Sequence, residues 1–145
     1  MTMNFDHETY ISPLTWRYGS GEMRAIWSES NKRQTMRQVW VALATAQHQA
    51  GLVSVEQLTD LRKQVGNIDI DRALALEKVT RHDVMAEIRT YAEQCPTGGG
   101  IIHWGATSAD ITDNVDVIRI RQATILLARR LKAKLLPDNC FFYIN

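Results

Sequence analysis

Apolar residues recur at helical spacing along most of the chain. Between Ser20 and Gly51 the pattern reads as helix, interrupted near Ser28 to Asn31. Within it Met36, Val39, Trp40, Leu43 and Ala46 or Gln47 form one apolar stripe at three- and four-residue intervals. Gly51 follows as a C-terminal stop. A shorter helix is expected from about Val55 to Val65, with Ser54 as N-cap, Gln57 in capping-box register and Gly66 after its end. Residues 67–71 read as a turn, and Arg72 to Lys78 as a short helix. From about His82 to Gln94 the stripe Val84, Met85, Ile88 and Tyr91 or Ala92 predicts another helix, stopped by Pro96. A loop with Gly98, Gly99 and Gly100 follows, and Ile101-Ile102 is too short to require a strand.

The strongest element begins at Ser108, read as its N-cap, with Asp110 and Asp113 in the first turn and Arg129, Arg130, Lys132 and Lys134 near the end. Its apolar residues, among them Ile111, Val115, Val117, Ile120, Leu127 and Leu131, cover more than one face. A helix apolar on several sides belongs at the centre of a bundle, so this one expects partners. The tail from Pro137, with Phe141, Phe142, Tyr143 and Ile144 in succession, fits neither helix nor strand patterning. The class is all-α.

Composition narrows the function. The 145 residues are 45% hydrophobic and 23% charged, as in globular domains, and the net charge of +1 gives no bulk field for nucleic acid or an anionic membrane. Cys95 and Cys140 cannot form a disulfide framework and belong to no C-x-x-C pair, which suits a reducing, cytoplasmic setting. Residues Met1 to Glu8 lack the basic and apolar regions of a signal peptide. No apolar run approaches the roughly 18 residues that span a bilayer. The histidines His7, His48, His82 and His103 fall into no zinc spacing, and there is no G-x-S-x-G elbow, Walker loop or G-x-G-x-x-G. No metal or cofactor is expected.

Three segments carry candidate chemistry, and each has a plainer reading beside it. Arg17-Tyr18-Gly19-Ser20 could hold phosphate and contact a nucleotide, or simply be a surface loop capped by Ser20. Arg81-His82-Asp83 places a guanidinium and an imidazole at a helix start that favours an anion, with Asp83 capping the helix or orienting the ring; taken alone it reads better as a capped helix with a partly exposed histidine. His103-Trp104-Gly105-Ala106-Thr107-Ser108 puts two hydroxyls and backbone N–H groups at the mouth of the long helix, a carboxylate cradle or an ordinary N-cap. Gly105 and Ala106 there allow close approach to the backbone. Together they suggest a polyanionic small molecule held by helix ends.

The same residues carry a family resemblance. Arg17-Tyr18-x-Ser20-x-Glu22-Met23 with Ile26-Trp27-Ser28, then Arg81-His82-Asp83-Val84-Met85-Ala86, then Ile101 to Asp110 with Asp113-Asn114, resemble the adenylosuccinate lyases of the fumarase/aspartase superfamily. The match runs in order from about Ser12 to Leu136. It implies an N-terminal helical lyase domain over residues 1–109, the start of a central-bundle helix over 110–136, and an atypical tail over 137–145. The family is homotetrameric, with active sites shared between subunits, and releases fumarate from adenylosuccinate and from the succinyl-carboxamide intermediate of purine synthesis.

Carried over by residue, Arg17 and Tyr18 would contact the nucleotide phosphate side, and Arg81, His82 and Asp83 would line the pocket, His82 in a supporting catalytic role. Thr107 and Ser108 would hold a succinyl carboxylate, and His103 would support the site. Such an elimination builds charge on a carboxylate, which aimed donors stabilise, and needs a base for the C–H proton and an acid for the leaving nitrogen. The family's base, a serine in a signature resembling S-S-x-M-P-x-K-x-N-P, and its histidine acid have no counterpart in these residues. The chain is therefore expected to be a truncated form, inactive alone. Two alternatives are a non-catalytic fragment that docks on full-length subunits, and the carboxymuconate cycloisomerase branch. The latter shares H-x-G-A-T-S but typically lacks R-H-D-V-M-A. Argininosuccinate lyase fits poorly around the serine.

Overall fold

The structure, a computed structural model, describes residues 12–135. His7, Cys140, Leu136 and the tail 137–145 lie outside the described residues. Among those described there is no strand: a π-helical turn Leu14–Tyr18 precedes α1 (Gly21–Ile26), α2 (Glu29–Gln49), α3 (Val55–Gln64), α4 (Ile70–Thr80) and α5 (Asp83–Gln94), and a 3-10 turn Gly99–Ile101 leads to α6 (Ser108–Leu135). The all-α expectation holds.

Short polar side chains set the helix boundaries. The interruption near Ser28 is a real break. The Ser28 hydroxyl accepts the Asn31 N–H and donates to the Ala25 carbonyl, while the Asn31 amide donates to the Ile26 carbonyl. Gly51, at φ +75°, ends α2 in the left-handed conformation that glycine tolerates. The Ser54–Gln57 capping box forms in both directions. α4 is longer than its apolar pattern indicated, because Asp69 caps it by accepting the Arg72 N–H.

α2 is the spine. Met36 and Trp40 meet Leu58 and Leu61 of α3, Val84 and Tyr91 of α5, and Ile111 and Val115 of α6 in one core. Full burial of each large side chain stabilises by about 1.5–3 kcal/mol. α4 and α5 form an antiparallel hairpin, its open end closed by the Arg72–Glu93 pair. α1 lies on α6, held by the Glu22 carboxylate between Arg129 and Arg130.

Three expected positions need correction. On α2, Ala46 is exposed and Leu43 only half-buried, whereas Arg33, Arg37 and Ala44 are buried. On α5, Met85 is exposed and Glu87 is buried. The two errors share a cause: Glu87 lies between Arg33 Nη1 (2.8 Å) and Arg37 Nε (2.7 Å), so charged side chains occupy the inner faces. Arg37 also donates to the Gln64 and Asn67 carbonyls and to Gln94, and lies over the Tyr91 ring at 4.4 Å. Ser108 is the third. It is the first helical residue rather than the cap, and Asp110 reaches back to accept the Thr107 N–H at 2.9 Å. Along α6 the inner face is Ile111, Val115, Arg119, Ala123 and Leu126, while Val117, Ile120, Ile125, Leu127, Leu131 and Leu135 remain exposed.

Candidate functional site

The α4–α5 corner is built by backbone geometry that few side chains favour. Arg81 ends α4 at φ 52°, ψ 33°, in the left-handed region, and its N–H donates to the Glu77 carbonyl at 2.7 Å. His82 is extended, and its Nδ1 accepts the Met85 N–H at 3.4 Å. The imidazole therefore caps α5, a task the sequence reading gave to Asp83 as one option.

Asp83 does something else. One carboxylate oxygen accepts its neighbour Val84's N–H at 2.8 Å and the other accepts Lys32 Nζ at 3.0 Å. It lies 3.8 Å from His82 Nδ1, outside hydrogen-bond distance. Burial pushes the Asp83 carboxyl up, but the Lys32 ammonium and the Val84 N–H outweigh it and hold the group below the usual carboxylate range. A cleft of about 570 Å³ opens here, lined by Glu29, Lys32, Leu74, Glu77, Arg81, His82 and Asp83. Glu29, Lys32 and Asp83 also line a second hollow of about 400 Å³ that runs to Thr112, Asp116 and Arg119 of α6.

His103 stands at the loop before α6 with φ +68°. Among the described residues it and Arg81 are the two non-glycine residues in the positive-φ region, and both belong to the candidate set. Strained backbone of this kind persists where surrounding structure over-determines it, and it concentrates at functional sites. His103 Nδ1 accepts the Trp40 indole N–H at 3.2 Å, and the rings meet edge-on. Burial lowers the imidazole below its ordinary value; Asp110 opposes this and the charge of His82 adds to it.

The expected carboxylate cradle is only partly free. The Thr107 N–H is bound to Asp110, Thr107 is exposed and Ser108 is half-buried. Gly105 is needed for its φ of +72°, since an added Cβ there would meet only the Gln47 amide, at 3.8 Å. Arg17 and Tyr18 line neither hollow. They sit exposed on the π-helical turn, Arg17 over the Trp16 ring at 4.3 Å, and Gly19 beside them is required because a Cβ would lie 2.3 Å from the Leu14 carbonyl. Ser20 caps α1 as expected, accepting the Met23 N–H.

The structure thus joins Arg81, His82 and Asp83 around one cleft, brings His103 within electrostatic reach of His82, and leaves Arg17 and Tyr18 apart. Sequence reasoning missed Lys32, which resembles any solvated lysine on an amphipathic helix. It also missed the Arg33–Glu87–Arg37 cluster; the available signal was the placement of both arginines in register with Met36 and Trp40. Cys95 offers no nucleophile, since burial, with Asp60 nearby, pushes its thiol up to about 11. Among the described residues no group of three or more His, Cys, Asp or Glu could hold a metal ion, and no helix is long and apolar enough to cross a membrane.

Among the described residues, the all-α fold with its long, incompletely covered last helix and its strained loops at the R-H-D corner and the H-W-G-A-T-S segment is consistent with a domain of a fumarase/aspartase-type lyase. The chain is 44% identical over 130 residues to adenylosuccinate lyase of Saccharomyces cerevisiae, covering 87% of this chain and 27% of that protein. It is 38% identical over 125 residues to the adenylosuccinate lyase of Methanocaldococcus jannaschii and 40% identical over 123 residues to that of Schistosoma mansoni. Each of these matches covers 84% of this chain, and they cover 27% and 26% of those proteins. No family model matches the chain. Over the segment it spans, the chain is similar to these adenylosuccinate lyases, and it spans about a quarter of the length of the curated relatives it matches.

Proposed function

We propose that the chain supplies the substrate-positioning side of an adenylosuccinate lyase site, in a cytoplasmic enzyme of purine nucleotide synthesis that releases fumarate from adenylosuccinate. In this reading residues 1–109 form the N-terminal domain and 110–136 open the central bundle. The observation that carries it is the corner where Arg81, His82 and Asp83 share one cleft. Arg81 offers a guanidinium to an anionic oxygen, while Thr107 and Ser108 offer hydroxyls at the start of α6, where the helix dipole favours a carboxylate. Arg17 and Tyr18 would take the phosphate side. The base and acid of the elimination come from other segments of the assembled homotetramer.

The test is an amide chemical-shift titration of the chain with adenylosuccinate and with AMP. Perturbations are expected at residues 81–83 and 103–108 with adenylosuccinate, together with no fumarate release by the purified chain. Shifts absent from both segments at millimolar ligand would sink the reading.

A second reading, a non-catalytic fragment that docks on full-length subunits, draws on the exposed row Val117, Ile120, Ile125, Leu127 and Leu131 along α6. Co-purification with full-length lyase, abolished by Leu127→Glu with Leu131→Glu, would favour it. Failure to co-purify removes it.

A further inference from the structure

Trp40 has a polar atom with one capability: an indole N–H donates and never accepts. Only 1% of Trp40 is exposed, so this donor has no water to turn to, and its partner is His103 Nδ1 at 3.2 Å. The two rings stand at 90° with centroids 6.2 Å apart, which aims the indole edge at the imidazole. A nitrogen that accepts this N–H must carry a lone pair, so the proton of the neutral ring resides on Nε2. Nε2 has no hydrogen-bond partner among the described residues and is not among their sealed, unsatisfied atoms.

Adding a second proton would set two N–H groups head to head and leave a buried donor unpaired, at a cost of about 1–3 kcal/mol. The charges that act on the ring are those of Asp110 of α6 and His82 of the α4–α5 corner, and they act in opposite directions. His103 keeps its positive φ while its carbonyl accepts the Ala106 N–H at 3.2 Å, so the turn and the indole together fix where the ring stands.

We infer that Trp40 is a positioning residue: its indole N–H holds His103 in the Nε2–H tautomer, so that the ring offers an N–H donor, rather than a base, to an anionic oxygen of the ligand. The ligand part of this inference rests on the lyase reading; the tautomer part does not. It deepens that reading by assigning His103 to carboxylate or phosphoryl oxygen, and by adding a residue on α2 that acts through it.

The experiment is a long-range proton–nitrogen correlation of the imidazoles in the nitrogen-15-labelled chain, followed across pH, with His103 assigned by its loss in His103→Gln. The expected result is a single Nε2–H tautomer and a titration midpoint below the ordinary value of about 6.5. Trp40→Phe keeps an aromatic ring but removes the donor, so it should release the tautomer preference and move the midpoint up. Tyr91→Phe, which keeps the ring that packs beside Trp40 and removes only the hydroxyl bonded to the Leu61 carbonyl, should change neither. A proton on Nδ1 in the parent chain would overturn the inference, and so would a Trp40→Phe spectrum identical to the parent's. Should Trp40→Phe fail to fold, the parent tautomer alone decides. Succinate and inorganic phosphate, each added to the parent, separate the claims: a response to one alone assigns the oxygen, and a held tautomer with no response at His103 to either leaves Trp40's role standing and removes the ligand reading.

Discussion

Replacing Glu87 by glutamine tests the buried cluster that joins α2 to α5. The carboxylate lies 2.8 Å from Arg33 and 2.7 Å from Arg37, and none of the three is more than 2% exposed. An amide keeps the volume but turns an NH₂ toward a guanidinium and leaves two buried cations without their counter-charge. Breaking a buried pair from one side costs about 3–5 kcal/mol. Partners that survive moderate this: Arg37 retains the Gln64 and Asn67 carbonyls and Gln94, and Arg33 retains Glu29 at 2.9 Å. The expected loss is therefore about 3 kcal/mol, or roughly 10 °C in Tm for a domain of this size. Urea unfolding followed by circular dichroism measures it, with an unchanged m value showing that stability alone has moved. Arg37→Met should cost more than Arg33→Met, because it also orphans two carbonyls at the α3 end. A Glu87→Gln loss below about 1 kcal/mol, or the reverse order of the arginines, would refute the reasoning by showing that water screens the cluster.

Other outcomes follow from single features. Gly98→Ala would place a Cβ 2.6 Å from the Gln57 carbonyl and 3.0 Å from Leu61, so it should destabilise by about 1–3 kcal/mol in the same assay, while Gly100→Ala, which meets nothing within 4 Å, should not. Ser54→Ala removes a reciprocal capping box and should cost about 1 kcal/mol, with amide exchange rising first in α3. Asp83 has a depressed carboxyl in the folded chain, so its contribution is present above the unfolded value of about 3.9 and is lost as pH falls through the lower folded value. Asp83→Asn should then lower stability near neutrality by at most about 1 kcal/mol, since the pair is partly exposed, and the gap should close toward acid. A gap that persists unchanged at low pH would contradict the Lys32 pairing.

Local chemistry was legible in the sequence; contacts between distant positions were not. The Ser54–Gln57 box, the Gly51 stop and the break at Ser28 were readable because each depends on residues within one turn. The inner faces of α2 and α5 were misplaced because a helical stripe assumes that inward means apolar. The Glu87 carboxylate that makes Arg33 and Arg37 acceptable inside lies 50 or more residues away. The same distance problem hid the Trp40–His103 bond, which joins residues 63 apart. Lys32 gave no signal, because its meaning depends on where the α4–α5 corner lands. That corner turns on Arg81 in a conformation that sequence would assign to glycine or asparagine. The excess of apolar surface on α6 was readable, since no arrangement of one neighbour can cover a helix apolar on several sides.

A cleft with this charge pattern would position a ligand more than attract it. Its lining carries Lys32 and Arg81 against Glu29, Glu77 and Asp83, and buried Arg33 behind it pairs with Glu29 at 2.9 Å and approaches Glu77 at 3.9 Å. Counting Arg33, three cations face three carboxylates, so the wall has no excess field for a polyanion. Lys32 is further occupied by Asp83, which leaves Arg81 as the cation whose guanidinium is uncommitted among the described residues. A neutral wall with fixed donors discriminates by geometry: a ligand oxygen gains there only where an N–H or O–H already points, and pays little to reorganise it. The strained backbones of Arg81 and His103 fit that role, since each holds a donor-bearing side chain at a place the relaxed chain would not choose.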